Sequence, residues 1–578
     1  MIYKNKIKEL GFEKLDEYKN INISNKGNIK YTDGDIEKTI LNILKKESKK
    51  TGNIFSQLED QIIDWPTEYH FSWVRQNIIK PIDFKKEDVV LELGGGTGII
   101  SEYVVGKVEK LITIEGTEIR AKSISTRCSN NENIDIIVAN FLELDLLSIF
   151  GENSFSKILL IGVLEYVPKY SKNKDSDPIN KLLDDCKKLL KPDGELVIAI
   201  ENKIGLKYLL GREEDHVSKK HYGTQSLYQK DDVITFTKKQ LLRRLNNSGF
   251  LDVESYYPFP DYKLPKVIIK EDFNLNTPKS KELIVSMLSG IQSKNYSNRS
   301  VEILEEDRIL SNFLEEEILG SISNSFLFVA KQIKSKKTST PFLYYFSTSR
   351  RYQFSNEMIF KNSNEGIEVS KKWYGESTNG EILNHISNNE NNYLLKEGKI
   401  LSDILKNYYL LNDKENYLIV FYKWLNLLID KIDDFENSFD LLPMNVIYDE
   451  NGKLTFFDFN EWKTKEKFTI PQIIKRYVLM NKNHFEWLFG IQNNIDDFVL
   501  LILDKNNIKI KDIEELKKVD VVHDYIRANI FKNDYLKINN KKIVKKIVTR
   551  KNKKPIWKKW VKYIIPPIFV ILRNRIKK

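Results

Sequence analysis

Residues 88–104 read DVVLELGGGTGIISEYV, an apolar, β-branched run that breaks into four glycines within the five positions 94–98. The 578-residue chain holds only 25 glycines, so this concentration marks a backbone that turns sharply and admits a ligand closely. A strand-like run precedes the loop and a helical pattern follows it, which places backbone N–H groups at a helix start against that ligand. From about 88 to 200, short runs (VVLEL, KLITIE, IDIIVA, KILLIGV, GELVIAIE) alternate with helical or loop stretches. The alternation predicts an α/β, Rossmann-like parallel sheet covered by helices.

The spacing inside the loop narrows the ligand. It runs Glu92-x-Gly94-x-Gly96-x-Gly98, and Glu115 ends the next strand, where a carboxylate can accept both hydroxyls of a ribose. A glycine loop alone also fits other dinucleotide-binding sheets. Glu92 disfavours a pyrophosphate beside it and favours an ammonium group. The ligand that joins an adenosine to an amino acid is S-adenosylmethionine. Asn140 and Phe141 follow the third strand, where one polar and one apolar side chain can hold adenine. IGVLEYV (161–167) follows the fourth and would pass beneath the sulfonium.

VLELGGGTGII, ITIEGT and LKPDGELVIAIEN resemble class I S-adenosylmethionine-dependent methyltransferases. DWPTEYHFSWVRQNII (64–79), IENKIGLKYLLGREEDH (200–216) and YYPFPDYKLPKVI (256–268) resemble a narrower bacterial subgroup encoded among surface-polysaccharide genes. The likeness spans roughly residues 60–335. It implies that Gly94, Gly96 and Gly98 cradle the cofactor, that Glu115 holds its ribose, and that Glu165 and Tyr166 lie near the methyl group. Methyl transfer is mostly positioning, with a base required for a hydroxyl acceptor and none for a phosphate. Asp215 and His216 offer a carboxylate and an imidazole; His216 is either a base or the anchor of a lid loop. Tyr69 and His70 either line the substrate mouth or pack.

A second stretch, FDLLPMNVIYDENGKLTFFDFNEW, begins at Phe439. Asp440 and Asn445 stand five apart, and Asp458 ends the strand after a turn at DENG. Phosphoryl transfer needs one carboxylate at the acceptor hydroxyl and an amide plus a second carboxylate holding Mg²⁺ on the phosphates of ATP. The pattern resembles D-x-x-x-x-N followed by D-F-G in the protein-kinase and aminoglycoside-kinase superfamily. That likeness implies a phosphate-binding lysine at Lys371, with Lys372 its rival, in EGIEVSKKWYG. It also implies a helical partner at Glu381. A G-x-G-x-x-G loop is missing, Ser438 stands where a histidine is expected, and Asn460 replaces the glycine of D-F-G. The region is therefore either an active kinase or a kinase-shaped domain that docks glycan or partner protein.

The bulk numbers frame these motifs. Apolar residues make up 41% and charged residues 30%, and the length calls for two or three domains. The reading is a helical region at 1–80, a methyltransferase domain at 81–335, a smaller α+β kinase-like domain at 342–537 and a basic tail at 541–578. KSKKTSTP (334–341) serves as the linker. Two cysteines, Cys128 and Cys186, without paired spacing argue against a disulfide framework or a Cys-based zinc site and favour a reducing compartment. The N-terminus has no signal-peptide pattern.

The net charge of +11 is uneven. Residues 541–578 contain 15 Lys/Arg and no Asp/Glu, leaving 77 bases against 81 acids elsewhere. Ile556, Trp560, Ile564 and Ile568 recur at helical spacing with lysines between, which suits an interfacial anchor on an anionic membrane surface. Residues 563–572 are too short to span, and Pro566-Pro567 interrupts them. An RNA-binding tail is the rival reading. The acidic body, and the lack of an N-P-P-Y-type motif after the fourth strand, argue against nucleic acid. Together the parts resemble bacterial enzymes that cap growing O-antigen chains by phosphorylation and methylation. That resemblance implies a glycan or lipid-linked polysaccharide acceptor, a glycan polymerase or glycosyltransferase as partner, and a cytoplasmic place at the inner face of the membrane.

Overall fold

A strand buried on both faces needs apolar residues at consecutive positions, and the runs around the glycine loop supply them. In the computed structural model, described here for residues 2–15, 17–24, 35–172, 177–271, 278–293, 306–334, 341–387, 390–457, 461–489, 494–506, 508–510 and 513–531, these runs build one sheet. Its N-terminal part comprises β1 (Phe12–Leu15), β2 (Tyr18–Ser24), β3 (Val89–Leu93), β4 (Lys110–Glu115), β5 (Ile134–Val138), β6 (Phe155–Ile161), β7 (Leu190–Glu201), β8 (Asp252–Phe259), β9 (Val267–Lys270) and β10 (Ser325–Lys331). Then follow β11 (Leu343–Phe346), β12 (Asn356–Ser363), β13 (Gly366–Trp373), β14 (Leu383–His385) and β15 (Glu390–Leu394). The order in the 14-stranded sheet is β1-β2-β5-β4-β3-β6-β7-β10-β8-β9-β11-β12-β13-β15.

Strands β2, β5, β4, β3, β6 and β7 pair in parallel, and every other pairing of this sheet is antiparallel. Alternation sorts the side chains. Leu91, Leu93, Ile112, Ile114 and Ile137 face one apolar cluster, and Val90, Leu111, Ile136 and Val138 face another. From β3 the chain steps outward to β4 and β5, then returns to β6 on the other side. The crevice at the carboxyl ends of β3 and β6 is thus the switch point at which such sheets bind ligands.

The first 80 residues are not all helical as expected. Beside helices at Ile2–Glu9 and Asp35–Glu47, β1 and β2 form a hairpin whose Ile21–Ile23 extends the sheet next to β5. Tyr18, Ile21 and Ile23 were short enough, and interleaved with enough polar residues, to escape the pattern.

Strand pairing continues across the linker. Leu343–Tyr345 of β11 pairs with Val267–Ile269 of β9, and a four-strand antiparallel meander follows. Behind it, β16 (Lys399–Ile400), β17 (Val446–Tyr448) and β18 (Leu454–Phe456) make a small sheet, and β19 (Trp462–Thr464) pairs with β14. Helices at Leu401–Leu410, Lys414–Lys431, Ile470–Met480, Ile495–Lys505 and Glu514–Asn529 surround a third cluster centred on Trp424, Phe421 and Tyr477. The helix expected around Glu381 is not there. Glu381 sits exposed in a bend, and the next residues enter β14, because His385 packs among Phe354, Trp373 and Trp462. No described helix is long and apolar enough to cross a membrane.

Candidate active site

At the switch point lies a cavity of about 510 Å³. The glycine loop forms one wall. Gly96 adopts φ +58, and a Cβ built there meets nothing within 4 Å, so its missing side chain faces open space. Gly98 adopts φ +86, and a Cβ would come within 2.8 Å of the Ile124 Cα. It does not line the cavity; it turns the chain into the helix Ile99–Val105. The backbone N–H of Gly96 donates to Glu115 Oε2 at 2.8 Å, and that of Thr117 to Oε1 at 3.1 Å. Burial raises the Glu115 carboxyl, opposed first by Arg120 and then by these N–H groups.

Glu92 and Gly94 also line the cavity, with Phe141 after β5. Ser101 donates to Glu92 Oε2 at 2.5 Å, yet burial lifts the Glu92 carboxyl to about 7. Asn140 is a correction. Its Oδ1 accepts from the Leu142 N–H and its Nδ2 donates to Glu143 and to the Tyr170 carbonyl, so its amide holds the turn and does not line the cavity.

The other walls come from residues far apart in sequence. Tyr69, His70 and Arg75 contribute one side, Asp215 and His216 a second, and Tyr262 and Lys263 a third. Tyr69 and His70 therefore line the mouth as well as pack. His70 Nδ1 lies 2.9 Å from Thr97 Oγ1, and burial beside Arg120, Arg75 and Arg127 keeps its ring neutral, far below the usual histidine range. Arg75 stacks on Tyr69 at 3.8 Å and donates to the Lys263 carbonyl, and among the described residues no carboxylate pairs with it.

Behind the cavity sits a buried charge network. Lys263 donates to Glu201 Oε1 and, at 2.5 Å, to Asp215 Oδ2; Lys207 donates to the same Asp215 oxygen at 2.8 Å. The carboxylate beside His216 is thus not its sequence neighbour Asp215, as expected, but Glu201, at 3.4 Å from Nε2. Two lysines hold Asp215 away from the ring. Burial disfavours a charged His216, but Glu201 and then Glu165 outweigh it and lift the ring to about 9. It therefore keeps its proton at neutral pH. Tyr166 lines the cavity, its hydroxyl 3.2 Å from His216 Nδ1, whereas Glu165 is turned inward and fully buried. Burial, then Glu201, lifts Glu165 to about 8. Arg75, Glu201, Lys207 and Lys263 were missed as site residues, although all four lie in stretches 64–79, 200–216 and 256–268.

Comparison with known proteins addresses the chemistry. Residues 91–198 match the family model described as a methyltransferase domain. The protein is an S-adenosylmethionine-dependent methyltransferase. A ribosomal RNA small subunit methyltransferase A of Crocosphaera subtropica is 24% identical over 252 residues, covering 42% of this chain and 86% of that one. The corresponding enzyme of Mycoplasma capricolum is 22% identical over 260 residues, with the same coverage. Among solved structures, phosphoethanolamine N-methyltransferase 2 of Haemonchus contortus with S-adenosylmethionine aligns at 15% identity and TM-score 0.27, over 45% of this chain and 52% of that one.

The cavity fits this cofactor: Gly96 leaves an open cradle, Glu115 can receive hydroxyls, Phe141 supplies an apolar face, and Glu92 can face an ammonium. Bound there, S-adenosylmethionine supplies an electrophilic methyl group. The methyltransferase's own cavity walls would hold it and shield it from water. Only ionised Glu92 attracts the ammonium, so cofactor affinity should fall as pH drops through about 7. Between pH 8 and pH 6 the loss should be roughly tenfold. Calorimetry across that range measures it, and Glu92→Gln should flatten the profile. A steep profile that persists in the variant removes Glu92 from this role.

The second set of candidates lies in the C-terminal half. Lys371 is buried, 3.9 Å from Glu461 Oε2, while Lys372 is exposed. Among the described residues Glu461, not Glu381, is a carboxylate beside it. Asp440 Oδ1 accepts from Arg476 at 2.7 Å, and Asn445 Nδ2 donates to the Asp440 carbonyl at 2.8 Å, so both stand on one loop before β17. Ser438 donates to the Phe468 carbonyl. Asp458 lies outside the described residues, as does the basic tail.

Proposed function

We propose that this methyltransferase modifies an oxygen of a bacterial cell-surface glycan, on a sugar or on a phosphate that the sugar carries. The observation that supports this reading is the origin of the cavity wall facing the glycine loop. It is built from the three stretches that resemble the polysaccharide-type enzymes. Its charge agrees: Arg75 has no carboxylate partner among the described residues, and His216 keeps its proton, which suits an anionic acceptor. Such an oxygen needs no base. The loop of Asp440 and Asn445 with Lys371 supports a kinase-like region that phosphorylates the glycan with Mg²⁺ and ATP, or docks it without turnover. The tail's tryptophans and lysines support peripheral attachment to the inner face of the membrane.

The names of the relatives give a second reading, a nucleic-acid substrate. Against it, the segment after β6 reads Gly162-Val163-Leu164-Glu165, and the body outside the tail is net acidic.

The test uses the full chain with methyl-labelled S-adenosylmethionine, γ-labelled ATP, lipid-linked glycan and ribosomal RNA. The methyl label should enter the glycan fraction. A phosphate label in the same fraction, lost in Asp440→Ala, marks an active kinase; its absence in wild type leaves a docking domain. Methyl label in RNA alone overturns the glycan reading.

A further inference from the structure

We propose that Glu165, Glu201 and His216 form a binding site for one divalent transition-metal ion just behind the cavity wall at His216. Both carboxylate oxygens of Glu165 are buried without a hydrogen-bond partner, and Glu201 Oε2 and His216 Nε2, also buried, make none of good geometry, only a long 3.4 Å ion-pair contact with each other. One ligand atom from each of the three residues lies within 4.8 Å of the others. Buried polar atoms are almost always paired, so an orphaned Glu165 carboxylate beside that long contact asks for a partner all three can share.

The remaining atoms of the trio are already held. Lys263 occupies Glu201 Oε1, and the Tyr166 hydroxyl lies 3.2 Å from His216 Nδ1, which leaves Oε2 and Nε2 turned toward Glu165. Such outer partners orient first ligands in metal sites. Ligands at about 2.0–2.2 Å from one ion lie up to about 4 Å apart, so the trio closes on an ion by less than about 1 Å. Two carboxylates and an imidazole suit Mn²⁺ or Zn²⁺ better than Mg²⁺ or Ca²⁺. Without an ion, this point holds two buried carboxyl groups, offset by Lys263, the His216 ring and, for Glu201, Lys207.

The inference bears on the choice of acceptor at one point: with the ion bound, His216 gives up the proton at Nε2 and the ion supplies the positive charge in its place. Its test uses the full-length protein, stripped with EDTA, dialysed, and titrated by calorimetry with Zn²⁺ and separately with Mn²⁺. Wild type should bind one equivalent that Glu165→Gln loses, with proton release, because the ion displaces protons from its ligands. Tyr166→Phe should bind that equivalent about 10- to 100-fold more weakly. S-adenosylmethionine titration of the same stripped samples reports separately on the cofactor site and on folding. The proposal is overturned if wild type takes up neither ion, or if Glu165→Gln, folded by its cofactor binding, keeps the same stoichiometry and affinity. The trio is then a protonated carboxyl beside an ion pair.

Discussion

Glu115→Ala should bind S-adenosylmethionine ten- to a hundredfold more weakly than wild type, since hydrogen bonds to a charged group are worth about 1.5–3 kcal/mol. Glu115 ends β4 with its carboxylate already accepting from Gly96 and Thr117, so the loop and the carboxylate expected to receive the ribose hydroxyls are fixed together. Removing the carboxylate frees the Gly96 N–H as well as the ribose. Gly96→Arg tests the same site from the other side. A side chain there meets no protein atom at its Cβ and grows into the cavity, so it should block the cofactor while the fold persists. Calorimetry and circular dichroism together decide. Undiminished affinity in both folded variants would place the cofactor elsewhere.

Lys263→Met should cost stability by about 3–5 kcal/mol, the usual consequence of removing one partner from a buried ion pair. The ammonium lies between Glu201 and Asp215; Lys263 and Glu201 are buried and Asp215 is half-buried. Asp215 retains Lys207, so the loss falls mainly on Glu201. Burial alone would raise the Glu201 carboxyl; Lys263 and then His216 hold it well below the usual range. A depressed carboxylate stabilises the fold above its unfolded pKa and loses that contribution as pH falls through the folded one. The cost of Lys263→Met should therefore shrink in acid. Adding Glu201→Gln should restore part of it, because the stranded charge is gone. Urea denaturation near neutral pH and near pH 4 measures both. An additive double variant would show that the pair is not coupled.

The sheet around the cofactor was legible because its signals are local. Consecutive apolar residues, a glycine-dense turn and a carboxylate at the next strand end lie within a few dozen residues and require no knowledge of packing. The charge network was not legible as a network. Lys263 meets Glu201 across 62 positions and Asp215 across 48, and no periodicity links such pairs. The three quoted stretches marked where the residues would come from but not that Arg75 would face the cavity or that Glu201 would displace Asp215 beside His216. Glu381 failed for a different reason. Its expected helix came from a family pattern, while locally Leu383 and His385 are buried, His385 among aromatic rings, in a strand against Trp462–Thr464. Strand alternation separates the two adjacent lysines: Lys371 is buried and Lys372 exposed.

The pairing of β9 with β11 reaches further than sheet size. The loop that presents Asp261, Tyr262 and Lys263 spans the gap between β8 and β9, and the Phe346 N–H donates to the Lys266 carbonyl at its far end. The first strand after the linker is thus a buttress for the cavity wall that carries Tyr262 and Lys263. A chain shortened at the linker would keep every residue of the cofactor cradle yet leave β9 a raw margin, its amides and carbonyls bared to any passing strand. The polypeptide reads as two trades joined end to end, but its backbone is carpentered as a single bench.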